Sequence, residues 1–203
     1  SINTFKNNNL KLKKTIQISS VSFVVLYIMA ALFYPVFFNP SKLFFCDLME
    51  TSIGFEESIN YGRPFAIAPL ISVATVIASF FIWFANQSKW SKFKKNFTKI
   101  SGSLSAFLTA FIFTELHDQL LLLASVIGFF PLTIIAIEML KTKPKRIPIL
   151  GLISFLLLAV YNIVFYLNIY ELLWPIMQKI CIAICLIWIN LEAVKTQTSR
   201  FTF

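Results

Sequence analysis

The stretch "FTELHDQLLLLASVIGFFP", residues 113 to 131, contains the only histidine of the chain, His117, with Glu115 two positions before it and Asp118 directly after it. An imidazole beside carboxylates can take up a proton as a general base or ligate a metal. It can also be a plain polar turn at a helix start, with Asp118 in the N-cap role. Cys46 and Asp47 add a thiol and a further carboxylate. Thiol, imidazole and carboxylate in line are the parts of a Cys-His-acid hydrolase, which requires the Cys46 sulfur within hydrogen-bond reach of His117. Spacing alone leaves that proximity open, and a small polar packing residue at 46 is the competing reading. A lone histidine argues against zinc, which usually takes several His or Cys ligands, although carboxylates would suit calcium or magnesium. The balance assigns no metal and no cofactor.

The elements that must position these groups are membrane helices. The chain has 203 residues, of which 58% are hydrophobic and 13% charged, and its mean hydropathy is +0.77. A soluble domain of this size does not need so much apolar surface, and long apolar runs point to helices that satisfy their own backbone inside a bilayer. The first run is too long for the core of a signal peptide and is expected to remain as a span. The expectation is an all-α polytopic membrane protein, a single integral domain over residues 1–203. Its six spans fall at about Thr15–Phe38, Phe65–Ala85, Ile100–Thr114, Gln119–Leu140, Ile147–Leu167 and Leu172–Val194. The run from Ile100 to Leu140 is about twice the length that crosses the hydrocarbon core, so it must fold back at Glu115-Leu116-His117-Asp118. That places His117 at the tip of a helical hairpin.

Charge sets the expected orientation. Fifteen of the eighteen Lys and Arg residues fall on one side of a six-span arrangement, in clusters around Lys11, Lys94, Lys143 and Lys195. The positive-inside rule makes that side, and both termini, cytoplasmic. Clusters between apolar runs read as topology signals and anionic-lipid contacts, so the net charge of +9 does not indicate nucleic acid. Seven of the nine acids, Asp47, Glu50, Glu56, Glu57, Glu115, Asp118 and Glu171, fall on the outer side. The sequons at Asn86 and Asn96 lie in a cytoplasmic loop and are silent. Cys181 and Cys185, one helical turn apart in an apolar run, read as packing residues. No nucleotide-binding loop, metalloprotease motif or nucleophile elbow is present.

The long outer segment, "NPSKLFFCDLMETSIGFEESINYGRP", is partly apolar, which suits a loop 39–64 carrying a short amphipathic helix that folds back over the bundle as a lid. Arg63, at the mouth of span two, either pairs with local acids or holds a lipid phosphate or carboxylate. Lys179, in "WPIMQKICIAIC", is expected to turn inward and pair with Glu115 or Asp47, snorkelling being the alternative. Asp47 and His117 are expected to share one outer pocket.

Three motifs, "LFFCDLMET" after span one, "INYGRPFAI" leading into span two and "FTELHDQL" at the hairpin, resemble the bacterial membrane family numbered 998 among domains of unknown function. That family's pattern has aromatic-aromatic-Ser-Asp-Leu-Gly after span one, an Asn motif entering span two, and an acid-x-x-His or Asp-x-His motif opening span four. Asp47-Leu48, Asn60 and His117 match it. Cys46 stands in place of the serine and Met49 in place of the glycine, while Tyr34-Pro35 lacks the glycines of a Tyr-Pro-Gly-Gly. More distantly the layout is similar to the six-span eukaryotic group of FGF-receptor-activating proteins, autophagy modulators and a GPI-lipid remodelling factor. The resemblance implies a bacterial inner-membrane protein and hints at lipid handling. Two functions of different class follow. One is a membrane protein whose outer polar pocket binds or modifies lipid head groups, with His117, Asp47, Asp118 and Glu115 as candidate catalytic groups and Arg63, Asn60, Cys46 and Lys179 as candidate ligand contacts. The other is a non-catalytic subunit that docks a membrane protein partner through its outer loop. Membrane lipids are the expected partners in the first case.

Overall fold

The computed structural model describes residues 2–53, 58–141, 146–167, 169 and 171–195. Six long helices account for most of them: α1 (Ile2–Leu32), α2 (Arg63–Gln87), α3 (Lys92–Ala110), α4 (His117–Lys141), α5 (Arg146–Tyr166) and α6 (Trp174–Lys195). Each of the first three neighbouring pairs packs side by side and α5 packs along α6, while α4 against α5 and α6 back onto α1 are both thin seams. Glu56, Glu57, Lys143, Lys145 and Arg200, which entered the charge reading, lie outside the described residues.

The medium around the bundle can be read from α1. Ile16, Ser20, Phe23, Tyr27 and Ala30 recur at alternating spacings of four and three and face the interior, while Ile18, Val21, Val25, Ile28 and Leu32 are exposed. A helix of a soluble bundle would put charge on that second face. The same exposure of large apolar side chains continues on α4, α5 and α6. Five helices, Asn7–Leu32 within α1 together with α2, α4, α5 and Trp174–Val194 within α6, are long and apolar enough to cross a membrane. This is a multi-pass membrane protein.

The bounds of α1 and α3 differ most from the sequence reading, and α1 already begins at Ile2 rather than Thr15. α1 leaves its helix at Leu32 rather than Phe38, because Pro35 has no amide hydrogen and disfavours helical backbone at the residue before it. α3 begins at Lys92, eight residues before the expected Ile100, and ends at Ala110. Its first half, with Lys92, Lys94, Lys95 and Lys99, keeps it out of the set of five. The chain then passes through tight turns, Phe111 to Leu108, Thr114 to Phe111 and His117 to Thr114, before α4 starts.

Small residues and shared hydrogen bonds hold the helices together where hydrophobicity gives no preference for protein over lipid. A Cβ on Gly102 would sit 2.3 Å from the Phe81 ring, and one on Gly151 would sit 2.4 Å from Nε1 of Trp188. Ser105 Oγ donates to the Ala124 carbonyl at 2.7 Å, joining α3 to α4, and Asn190 Nδ2 donates to Ser20 Oγ at 2.8 Å, joining α6 to α1. Phe80, Phe84, Trp83 and Trp188 fill the centre.

The chain between α1 and α2 is folded against one end of the bundle. Among its described residues the helical part is a single 3-10 turn, Cys46–Met49, with Leu48 and Met49 buried, and Ser52–Ile53 pairs antiparallel with Ser58–Ile59. Cys46, Arg63, Ile112 and His117 border one groove. The start of α2, the end of α3 and the start of α4 therefore lie at the same end, here called the loop end. The opposite, lysine end is marked by Asn86 donating to Asn9 Oδ1 at 3.4 Å.

Candidate functional site

Asn60 fixes the frame of the site. Its side chain is 4% exposed. It donates to the carbonyls of Leu48 and Glu50 at 2.8 and 2.9 Å, while its own oxygen accepts from the Gly62 amide at 3.0 Å. That last bond is an Asx turn, which delivers the chain into α2 with Pro64 in its first turn. Gly62 is required there, since a Cβ would meet the Ala30 carbonyl at 2.8 Å. Arg63 adds a third tie, Nε donating to the Met49 carbonyl at 2.9 Å. All bonding capacity of Asn60 except one lone pair goes to the backbone, which makes it a structural staple.

Asp47 works in the same way. Its carboxylate accepts from the Phe44 amide at 2.6 Å and opens the 3-10 turn. Burial raises its pKa, while the Phe44 amide and the Lys179 charge pull it back down. Lys179 does turn inward, but its ammonium is taken by main-chain carbonyls, that of Leu43 and, at 3.0 Å, that of Pro175, and it lies 5.7 Å from the Phe38 ring centroid. The expected partner was a carboxylate. The carbonyls win because residue 43 sits in irregular chain, where acceptors without a helical partner must be satisfied locally.

The turn that begins with Cys46 brings its sulfur, not the carboxylate of Asp47, to the hairpin tip. His117 Nε2 lies 3.0 Å from Cys46 Sγ, and His117 Nδ1 lies 2.9 Å from Asp118 Oδ1. A carboxylate only accepts, so the Nδ1 proton belongs to the bond with Asp118, and Nε2 is left to accept from the thiol. Asp118 sits in the first turn of α4, where negative charge is favoured by the helix dipole. Its side chain is 86% exposed and that of His117 29%. Cys46 and, 71 positions on, His117 with its neighbour Asp118 thus form a thiol–imidazole–carboxylate line.

Electrostatics define its resting state. Crowding by protein, and next the Asp47 charge, push the Cys46 thiol up to about 12, although a hydrogen bond from Gln178 and the Lys179 charge act the other way. The thiol is therefore neutral at rest, and a nucleophile here would require a base beside it to take the proton, as a serine does. Gln178 escaped the sequence reading although its neighbour Lys179 did not. Its oxygen accepts from the Phe45 amide at 2.8 Å, which directs the amide nitrogen to the sulfur side. The signal available was a carboxamide in an otherwise apolar helix start, "WPIMQK".

A groove of about 550 Å³ opens over this line, bordered by Cys46, Glu50, Arg63, Phe113, Glu115 and His117. Glu115 is exposed at its rim, and Asp47 and Lys179 are not part of its lining. Among the described residues no three His, Cys, Asp or Glu side chains are grouped so as to hold a metal ion. Comparison with protein-family models, with curated proteins and with solved structures finds no match for this chain.

Proposed function

We propose that this protein binds membrane lipids by their head groups in the loop-end groove and removes an acyl chain from them through a Cys46 thioester. The observation that carries the reading is the line from Cys46 Sγ through His117 to Asp118, with contacts of 3.0 and 2.9 Å at the edge of an open groove. Its chemistry is self-contained. Cys46 Sγ attacks the carbonyl carbon of an ester while its proton passes to His117 Nε2, so an S–C bond forms as the C–O bond breaks. His117 then gives that proton to the departing alkoxide, and Asp118 stabilises the transient imidazolium. Water opens the thioester, which returns the thiol and releases the acid. The Gln178 amide beside the sulfur suits the oxygen of the tetrahedral intermediate.

The finer topology belongs to the same proposal. α3 crosses with the other five, giving six spans, with the loop end outside and both termini cytoplasmic in a bacterial inner membrane. If the chain belongs with the family numbered 998, the serine that family carries in place of Cys46 would accept the same relay. An introduced thiol near Lys94 should be shielded from an impermeant reagent that labels the loop end.

The test is intact mass measurement of the purified protein after incubation with a short-chain phospholipid ester. A hydroxylamine-sensitive acyl adduct is expected on the wild type, absent from Cys46→Ala and much slower to form in His117→Gln. No adduct on a folded wild-type protein overturns acyl transfer. One observation favours the docking alternative: Ile59 and Tyr61 on the loop are 64% and 73% exposed. That reading predicts a stoichiometric partner in mild detergent, lost when both are changed to serine.

A further inference from the structure

Two open grooves meet at Arg63. One bears Cys46 and His117; the other, about 560 Å³, descends along α2 between Thr51 and Ile71, with Ile67 and Ala68 on its wall. The second wall is apolar and Ile71 is 59% exposed. From Arg63 to Ile71 is about 12 Å of helix, directed from the loop end toward the lipid-facing middle of the bundle. The first groove is polar at its rim, and Arg63 shares its lining with two carboxylates, Glu50 and Glu115.

We infer that the two grooves form one site for a phospholipid whose head group carries a primary ammonium, of the phosphoethanolamine type. Its phosphate lies on Arg63, its ammonium on Glu50 and Glu115, and one acyl chain lies along Ile67, Ala68 and Ile71. This rests on the lipid reading above and narrows it to a substrate class. Arg63 is suited to the phosphate because its Nε is fixed by the Met49 carbonyl, and its terminal nitrogens have no hydrogen-bond partner among the described residues. The charge count selects the rest. A purely anionic head group would satisfy one guanidinium while approaching two carboxylates, whereas a phosphate–ammonium dipole satisfies both signs. A primary ammonium offers three donors to carboxylate acceptors. A quaternary one would call for an aromatic cage, and among the described residues Phe113 is the single aromatic ring in the lining. Ala68 supplies the depth, since a large side chain there would fill the chain groove.

The experiment is native mass spectrometry of the delipidated full chain, titrated with phosphatidylethanolamine, phosphatidylglycerol and phosphatidylcholine of identical chains, and with the matching diacylglycerol. Phosphatidylethanolamine is expected to bind at least about tenfold more tightly than either other phospholipid. Arg63→Gln should erase its advantage over diacylglycerol. Glu50→Gln combined with Glu115→Gln should reverse the order in favour of phosphatidylglycerol, and Ala68→Phe should weaken all four ligands alike. Equal binding of the three phospholipids by the wild type, or a preference indifferent to the glutamine pair, overturns the assignment. Free phosphoethanolamine competing as well as the whole lipid would overturn the chain groove. Cys46→Ala separates this proposal from the catalytic one. Selective binding retained by that variant, with no acyl adduct on the wild type, keeps the head-group site and removes the chemistry. An adduct formed without head-group preference does the reverse.

Discussion

The two ends of the bundle handle charge in opposite ways. At the lysine end, cations find rings: Lys13 Nζ lies 5.7 Å from the Trp83 ring centroid and Lys94 Nζ 4.5 Å from that of Trp90. The connection between α2 and α3 is short there, Ser88 capping back to Ala85 and Ser91 opening α3, so few backbone groups lack a partner. At the loop end, a long irregular segment lies against apolar helices and its carbonyls must be satisfied by side chains. Asn60, Arg63 and Lys179 each donate to main-chain oxygens, and Asp47 and Gln178 each accept from main-chain amides. The difference teaches which polar residues to set aside when looking for function. Those whose capacity the backbone takes up, Asn60, Asp47 and Lys179, build the frame, whereas Cys46, His117, Glu115 and the terminal nitrogens of Arg63 border the groove, with Asp118 behind the imidazole.

The comparison can be broken most severely in the packed half. Gly102→Val places new carbon inside the Phe81 ring, and the α2–α3 seam must open, at a cost of about 3 kcal/mol or more. A lowered melting temperature in detergent is expected, with Cys46 alkylation in the folded fraction unchanged. Asn60→Ala comes next. It leaves two carbonyls and an amide without their partner, a loss of about 2–4 kcal/mol confined to the loop end. Here the sharper readout is chemical, since Cys46 should react much faster with maleimide while helix content holds. Lys179→Met strands the Leu43 carbonyl and removes a cation that offsets Asp47. A destabilisation of about 1–3 kcal/mol is expected, and a higher melting temperature would show that the lysine merely snorkels.

The smallest effect concerns Glu50. Burial, and then the like charge of Asp47, raise its pKa. A carboxyl with a raised folded pKa contributes stability that is complete below its ordinary value of 4.5 and is lost as pH climbs through the raised one. Glu50→Gln should therefore melt slightly higher than the wild type at about pH 7, by roughly a few tenths of a kcal/mol after solvent screening. The two should converge at about pH 4. A difference that grows on acidification would contradict the burial.

Helix existence was legible because apolar runs of about 20 residues have one physical solution in lipid. Ends were less so: Pro35 stops α1 six residues early, and α3 recruits a lysine-rich turn that hydropathy would assign to a loop. At the site, His117, Asp118 and Cys46 stood out as polar groups in apolar surroundings, yet the pairing of Cys46 rather than Asp47 with His117 depends on the twist of one 3-10 turn. Asp47 and Lys179 looked like a charge pair because sequence shows charges and not carbonyls. Gln178 carried no charge to attract notice, and its role follows only from the Phe45 amide beside it.

The groups gathered around Cys46 and His117 come from separate helical hairpins. Cys46 is made with α1 and α2, His117 and Asp118 with α3 and α4, and Gln178 with the last pair, α5 and α6. During synthesis the thiol is delivered to the membrane well before the imidazole it pairs with, and the carboxamide arrives last. A chain halted after four helices holds the relay without Gln178 or Lys179 to brace residues 43 to 45. Completion of the bundle is thus what braces the loop over Cys46, and a stalled or truncated product would show that thiol to alkylating reagents that the finished protein slows.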